Sequence, residues 1–248
     1  MRSKILLFAL AFLFIMPAIA HADFLEGKKS YDNKNWRRAI VLLRPLAEQG
    51  DARAMVLLGN MYLDGYGVER DPTEAFMLYR RGAERNNADA MLATATLYQT
   101  GNGIPLNTRL AIMWFERCAK TGNQNCAFFY GLHMYQGSKS ETFDIKPNHL
   151  EAYKWMRLTA RGRGNPKMAK AADVIAEKLK ADMNYQDVEE ADKAIVEWTP
   201  TKAEDLGPMP EDIVAAEKEN ADPELKTEEK PAETKQETQP ESKDQPKQ

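Results

Sequence analysis

Three glycines, Gly65, Gly101 and Gly137, stand 36 residues apart, and they are one thread of a wider self-similarity. Ala54, Ala90 and Cys126 keep the same step, as do Ala39, Ala75 and Ala111, and also Ala47, Ala83 and Ala119. Beyond Gly137 the step lengthens to 41, from Ala111 to Ala152 and from Ala119 to Ala160. Val68, Ile104 and Ile145 otherwise correspond, so five residues are inserted between Gly137 and Ile145. A period of this size points to stacked supersecondary units that bury each other's apolar faces.

Each unit reads as two helices. The first carries Ala54, Leu58, Met61 and Tyr62 at i, i+4, i+7 and i+8, and Ala90, Thr94, Leu97 and Tyr98 repeat that stripe. The second carries Ala75, Leu78, Tyr79 and Ala83, echoed by Ala111, Trp114, Phe115 and Ala119, then by Ala152, Trp155, Met156 and Ala160. Alanines let helices approach closely, and the aromatics fill the space between layers. Asn35, Asp71, Asn107 and Asn148 fall at matching positions, where they can accept from free N–H groups at a helix start. Glu74 and Glu151 stand three residues later, as in a capping box, and Pro72 suits a first helical position. Gly65-Tyr66-Gly67 and Gly101-Asn102-Gly103 supply turn positions between paired helices.

The ends differ from the middle. Arg2 and Lys4 precede an apolar run from Ile5 to Met16, and Ala20-His21-Ala22 offers small residues for signal peptidase, with cleavage expected after Ala22. No later run is long enough to suggest a membrane span. Phe24, Gly27 and Tyr31, followed by Trp36, Ala39, Leu43 and Leu46, read as a degenerate first hairpin. Asn165-Pro166 opens a further helix, and Asn184 caps another whose stripe is Val188, Ala191, Ile195 and Trp198. Glu189, Glu190, Asp192 and Lys193 make its other face polar, as a capping helix requires. From Glu217 to Gln248 almost nothing is apolar, so burial cannot offset chain entropy there and a disordered tail is expected. The expected organisation is a signal peptide over 1–22, a degenerate hairpin over 23–49, about three repeats over 50–163, a C-terminal hairpin and capping helix over 164–200, and a disordered charged tail over 201–248.

These residues resemble Sel-1-like repeats, relatives of the tetratricopeptide repeat. Ala54, Leu58-Gly59, Tyr62, Gly65-Tyr66-Gly67-Val68, Asp71 and Ala75 carry the pattern most fully. Ala90, Tyr98, Gly101-Asn102-Gly103-Ile104 and Ala111 repeat it, and the third unit departs by placing Met134 at the Tyr position and inserting residues after Gly137. The resemblance implies an all-α, right-handed solenoid of α-hairpins with a concave groove. It also implies recruitment of proteins, often in the bacterial envelope, and does not imply a reaction.

Cys118 and Cys126 are the only two cysteines. They flank the turn Thr121-Gly122-Asn123, which can bring helix ends within bridging range, and an exported chain meets an oxidising compartment. Their offset also resembles the paired cysteines of cysteine-rich Sel-1-like proteins, so a Cys118–Cys126 disulfide is expected.

Catalytic signatures are absent: there is no His-Glu-x-x-His, Gly-x-Ser-x-Gly, Cys-x-x-Cys or phosphate loop. His133 and His149, 16 residues apart, do not form a metal site, and no cofactor is expected. The net charge of −3 offers no field for a nucleic-acid backbone. The expected function is a non-catalytic periplasmic scaffold binding a protein or peptide in the envelope. Its groove would be lined by first helices, with Asn60, Thr96 and Gln99 as polar positions and His133 at a half-buried one. The inserted loop from Ser138 to Asp144 adds Phe143 as a candidate aromatic contact. Two alternatives stand beside this reading. Lys120-Thr121-Gly122 matches one motif of β-lactam-reactive enzymes, though the Ser-x-x-Lys partner is missing, which keeps an envelope enzyme acting on cell-wall or β-lactam substrates open. A glycan-binding module would need exposed aromatic platforms, with Tyr66, Tyr135 and Phe143 as candidates.

Overall fold

The computed structural model describes residues 23–139 and 144–221. The expected signal peptide and Phe143 lie outside the described residues. The chain forms α1 (23–32), α2 (Trp36–Glu48), α3 (Ala52–Asp64), α4 (Pro72–Ala83), α5 (Ala88–Thr100), α6 (Thr108–Lys120) and α7 (Gln124–Gln136). After the inserted loop come α8 (His149–Arg161), α9 (Pro166–Asp182), α10 (Tyr185–Glu197), a 3-10 turn (Ala203–Leu206) and α11 (Glu211–Ala221). Successive helices pack on one another from α2 to α9, which makes a right-handed α-hairpin solenoid. The sole sheet among the described residues is a two-residue antiparallel ladder, β1 (Ser138–Lys139) with β2 (Asp144–Ile145), at the base of the inserted loop.

The alanine and aromatic positions of the repeat form the core. Ala39, Ala75, Ala111 and Ala152 are all fully buried, as are Trp114, Phe115, Tyr79 and Met156. Close approach is built in. A Cβ added at Gly59 would lie 2.6 Å from the Tyr79 ring, so α3 and α4 meet at contact distance only because Gly59 has none. Gly103 sits at φ +80° with its Cα against Pro72, where a Cβ would come within 2.5 Å, so the turn of one unit seats on the helix start of the unit before.

Helix starts are capped from α2 to α10. Asn35, Asp71, Asn107, Asn148, Asn165 and Asn184 accept as expected, and Asp51, Asn87 and Asn123 do the same at α3, α5 and α7. The capping box does not form at Asn148. The Glu151 carboxylate instead takes Lys154 and the Trp155 Nε1–H, because the Asn148 N–H already donates to Met134 O at 2.7 Å. The same inter-helix bond recurs as Asp71 N to Tyr62 O and Asn107 N to Tyr98 O, each 2.8 Å. It satisfies the group that a capping-box glutamate would have reached.

The C-terminal end departs from the expected boundaries. α10 turns back onto α8, with Val188, Ala191 and Ile195 buried, the Tyr153 hydroxyl donating to Asp192, and Trp198 edge-on to Trp155. The tail was expected to be disordered from residue 201, yet the described part of it, through residue 221, is structured. Pro200 packs at Gly122, Thr201 N donates to Lys120 O, and Asn86 donates to Ala203 O and Gly207 O. This strap leads back along the array and lays α11 against α6, with Ile213 and Ala216 buried. The charged composition hides it because Ile213-Val214-Ala215-Ala216 is a short apolar island among charges, and its polar docking is made by Glu217, bound by three helices, and by Asn220, which accepts from Asn107 at 3.0 Å. Residues 222–248 lie outside the described residues.

Candidate functional site

The first helices of the units, α3, α5 and α7, each bury one stripe in the core and leave the opposite face half-covered. On α3 that face is Val56, Leu57, Asn60 and Leu63; on α5 it is Leu92, Ala93, Thr96 and Gln99; on α7 it is Phe128, Phe129, Leu132 and Tyr135. The spacing i, i+1, i+4, i+7 places each set on one side of its helix. α3 also touches α5, α7 touches α9, and the Gln99–His133 pair links α5 to α7, so first helices neighbour one another along the array. The row is mainly apolar, and its third member is aromatic: Phe128 and Phe129 meet edge-on at 5.8 Å, and Phe129 stacks on buried Phe115 at 5.3 Å. Tyr135 closes the row beneath Lys178 of α9, whose ammonium stands 5.7 Å from the ring centre.

The polar positions expected from sequence fall on or beside this row. Asn60 accepts from the Tyr79 hydroxyl at 2.6 Å, so a core side chain fixes its amide. Burial pushes the Tyr79 phenol up, keeping it protonated and able to donate. Thr96 is exposed, but its hydroxyl donates to Leu92 O within its own helix. Gln99 and His133 come together, Nε2 to Nε2 at 3.1 Å, and bridge α5 to α7. The His133 ring also lies over Phe115, 6.1 Å between centroids. It therefore works at the seam between two units.

Burial pushes the His133 pKa down. Its unfolded value, near 6.5, is then the higher of the two. The unfolded chain binds more protons between the two values, so stability is complete above about pH 6.5 and declines as pH falls through the folded value. The slope from this group is at most one proton per molecule. His133→Leu, which restores the residue type found at Leu97, should flatten that slope in urea titrations between neutral and mildly acidic pH. Parallel slopes for the two proteins would mean that His133 is not the group responsible.

The positions that carried the alternative readings have structural employment. Lys120-Thr121-Gly122 is the turn between α6 and α7: Lys120 pairs with Glu116 at 2.7 Å and the Thr121 hydroxyl donates to Cys118 O. Tyr66 is 38% exposed and stacks on Trp36 at 4.6 Å, in the turn after α3. Tyr135 belongs to the row described above. Cys118 and Cys126 are bonded, with Cα atoms 5.7 Å apart, tying the end of α6 to the start of α7. Among the described residues no group of three or more His, Cys, Asp or Glu is placed to hold a metal ion, and no helix is long and apolar enough to cross a membrane.

The apolar row itself was not singled out from sequence. A signal existed in α7, which carries Phe128, Phe129, Leu132 and Tyr135 in addition to its buried stripe, more apolar side chains than one stripe needs.

The family model described as the Sel1 repeat matches residues 52–87, 88–123 and 124–162. Among solved structures, the chain resembles a protective antigen of uropathogenic Escherichia coli that displays an SLR fold. The TM-score is 0.61 at 18% identity, over 74% of this chain and 39% of that one. It is also similar to a Sel1 repeat protein from Oxalobacter formigenes, with a TM-score of 0.48 at 26% identity, over 55% of this chain and 98% of that one. The first likeness concerns the fold, and this chain spans about two fifths of that antigen's length. No curated protein matches the chain significantly in sequence.

Proposed function

From the premise that this is a Sel1-repeat protein, we propose that it is a non-catalytic scaffold of the bacterial periplasm, holding a protein or peptide partner along the outward row of α3, α5 and α7. Sel1 repeats indicate a repeat-based protein–protein interaction scaffold. The observation that carries the finer reading is the run of half-covered apolar side chains on consecutive first helices, ending in Phe128, Phe129, Leu132 and Tyr135. Such a row suits an extended segment whose side chains insert between units, with the aromatic end as its energetic centre. Asn60, Thr96 and Gln99 would align its backbone. Arg2, Lys4 and the apolar run to Met16 support export, and a disulfide suits an oxidising compartment.

Cross-linked pull-down from the native envelope tests the proposal. The wild-type chain should retain one stoichiometric protein. Phe128→Ser with Leu132→Ser should retain at least about tenfold less, since hot-spot truncations cost upwards of 2 kcal/mol, with circular dichroism showing an intact array. Equal recovery by both proteins, or recovery of none by the wild type, would overturn it. Fractionation should find the mature chain, beginning at Asp23, in the periplasm.

A further inference from the structure

Glu217 of α11 is 8% exposed, and its carboxylate is bound from three helices of two units. Arg80 of α4 donates to Oε2 through Nε at 2.9 Å and Nη2 at 2.6 Å. The Tyr98 hydroxyl of α5 and the Trp114 Nε1–H of α6 each donate to Oε1 at 3.2 Å. Such a set of charged and neutral donors is a receptor for one carboxylate. The apolar side of the same contact is far less complete. α11 buries only Ile213 and Ala216 as apolar side chains, and a cavity of about 570 Å³ remains beside them, between Val214 and the array residues Phe76, Met77, Tyr98, Ile104 and Pro105. Met77 is 54% exposed at its mouth.

We propose that this face of α4–α6 is a second protein-docking surface, built for an amphipathic helix of a partner that presents a Glu with a large apolar residue three positions before it, and that α11 is its resident, undersized occupant. Positions three apart share a helix side, so a Leu, Met or Phe in place of Val214 would point into the cavity while the acid kept its donors. α11 has 11 residues, too short to hold a helix alone, so its order depends on docking. It is kept at hand by the strap, which is clipped at Gly207 by Asn86 and by Arg117 Nη2 at 2.7 Å. Only Pro208-Met209-Pro210 separates that clip from α11, so α11 can leave and return while the rest of the strap stays bound. A partner helix competes against a tethered segment at high effective concentration.

The probe is a fluorescent peptide of residues 208–221 carrying V214F, titrated by anisotropy into the full chain. E217A removes the charged hold on α11 and leaves it only the Asn107–Asn220 bond and two buried apolar side chains. It keeps the receptor intact and should bind the peptide at least about tenfold more tightly than wild type, the weakened tether being the competitor. The peptide with Val214 retained should bind more weakly to E217A than the V214F form. Adding R80A to E217A should abolish binding. Where R80A melts early, W114F, which keeps an aromatic ring and loses one donor, should weaken binding several-fold. Equal affinity of wild type and E217A, indifference to R80A or W114F, or no gain from V214F would each overturn the proposal. A wild-type dimer that the peptide splits into monomers would overturn it too, by making a second copy's α11 the occupant.

Discussion

Trp114→Ala should destabilise the array by about 3–5 kcal/mol, the range for deleting a buried aromatic side chain. Trp114 is 0% exposed, projects from α6 into the layer between units, and holds Glu217 through its indole N–H. The loss combines removed apolar surface, a void that rigid helices on either side cannot close, and one donor withdrawn from a buried carboxylate. Trp114→Phe separates these contributions. It keeps most of the volume and removes the donor, so its cost should be the smaller part. Urea denaturation followed by circular dichroism measures both. Stability in a stacked array is close to a sum of unit and interface terms, so damage to α6 weakens two interfaces together. The transition should broaden or split as the N-terminal and C-terminal parts lose their common neighbour. A cost below about 1 kcal/mol for Trp114→Ala would mean that the layer is held elsewhere.

Replacing both cysteines by alanine should cost about 2–3 kcal/mol, which is what closing a loop of this size removes from the entropy of the unfolded chain. The bridge joins residues 8 apart in sequence, and both cysteines are fully buried at the junction of the second and third units. Alanine is the better replacement there, because a serine hydroxyl would need a partner in an apolar site. Wild type unfolded in reductant should match the double-alanine variant, and wild type in oxidised buffer should exceed both. Equal midpoints in all three would show that the α6–α7 turn is already ordered in the unfolded chain.

Much of the fold could be read in advance because the repeat states each element several times. Ala75 alone is an alanine on a helix; with Ala39, Ala111 and Ala152 it is a layer. The disulfide was legible because Cys118 and Cys126 fall on either side of a turn whose position the register fixes. The caps of α4, α6 and α8 were visible through Asp71, Asn107 and Asn148, whereas the failed capping box at Glu151 was not. That outcome depends on a backbone bond from another helix, and backbone groups leave no mark in a sequence. The candidate row was half legible. Register placed Asn60, Thr96 and Gln99 on the first helices, but attention to polar residues passed over Phe128, Phe129 and Leu132, which a core stripe already in hand does not need. Glu217 was the hardest to see. An acid at the edge of a charged segment looks solvated, and only the fold brings Arg80, Tyr98 and Trp114, from three different helices, around it.

The strap changes how a pull on the C-terminal segment would travel. In a simple spring of stacked coils, tension on the last residue enters at the last coil and peels the rest in order. Here a pull applied at residue 221 enters α11, and α11 is moored to α4, α5 and α6 through Glu217. A tug on that end therefore lands amidships, on the first two units, and bypasses α7 to α10. Those rearward helices stay slack until the mooring at Glu217, and after it the clip at Gly207, gives way.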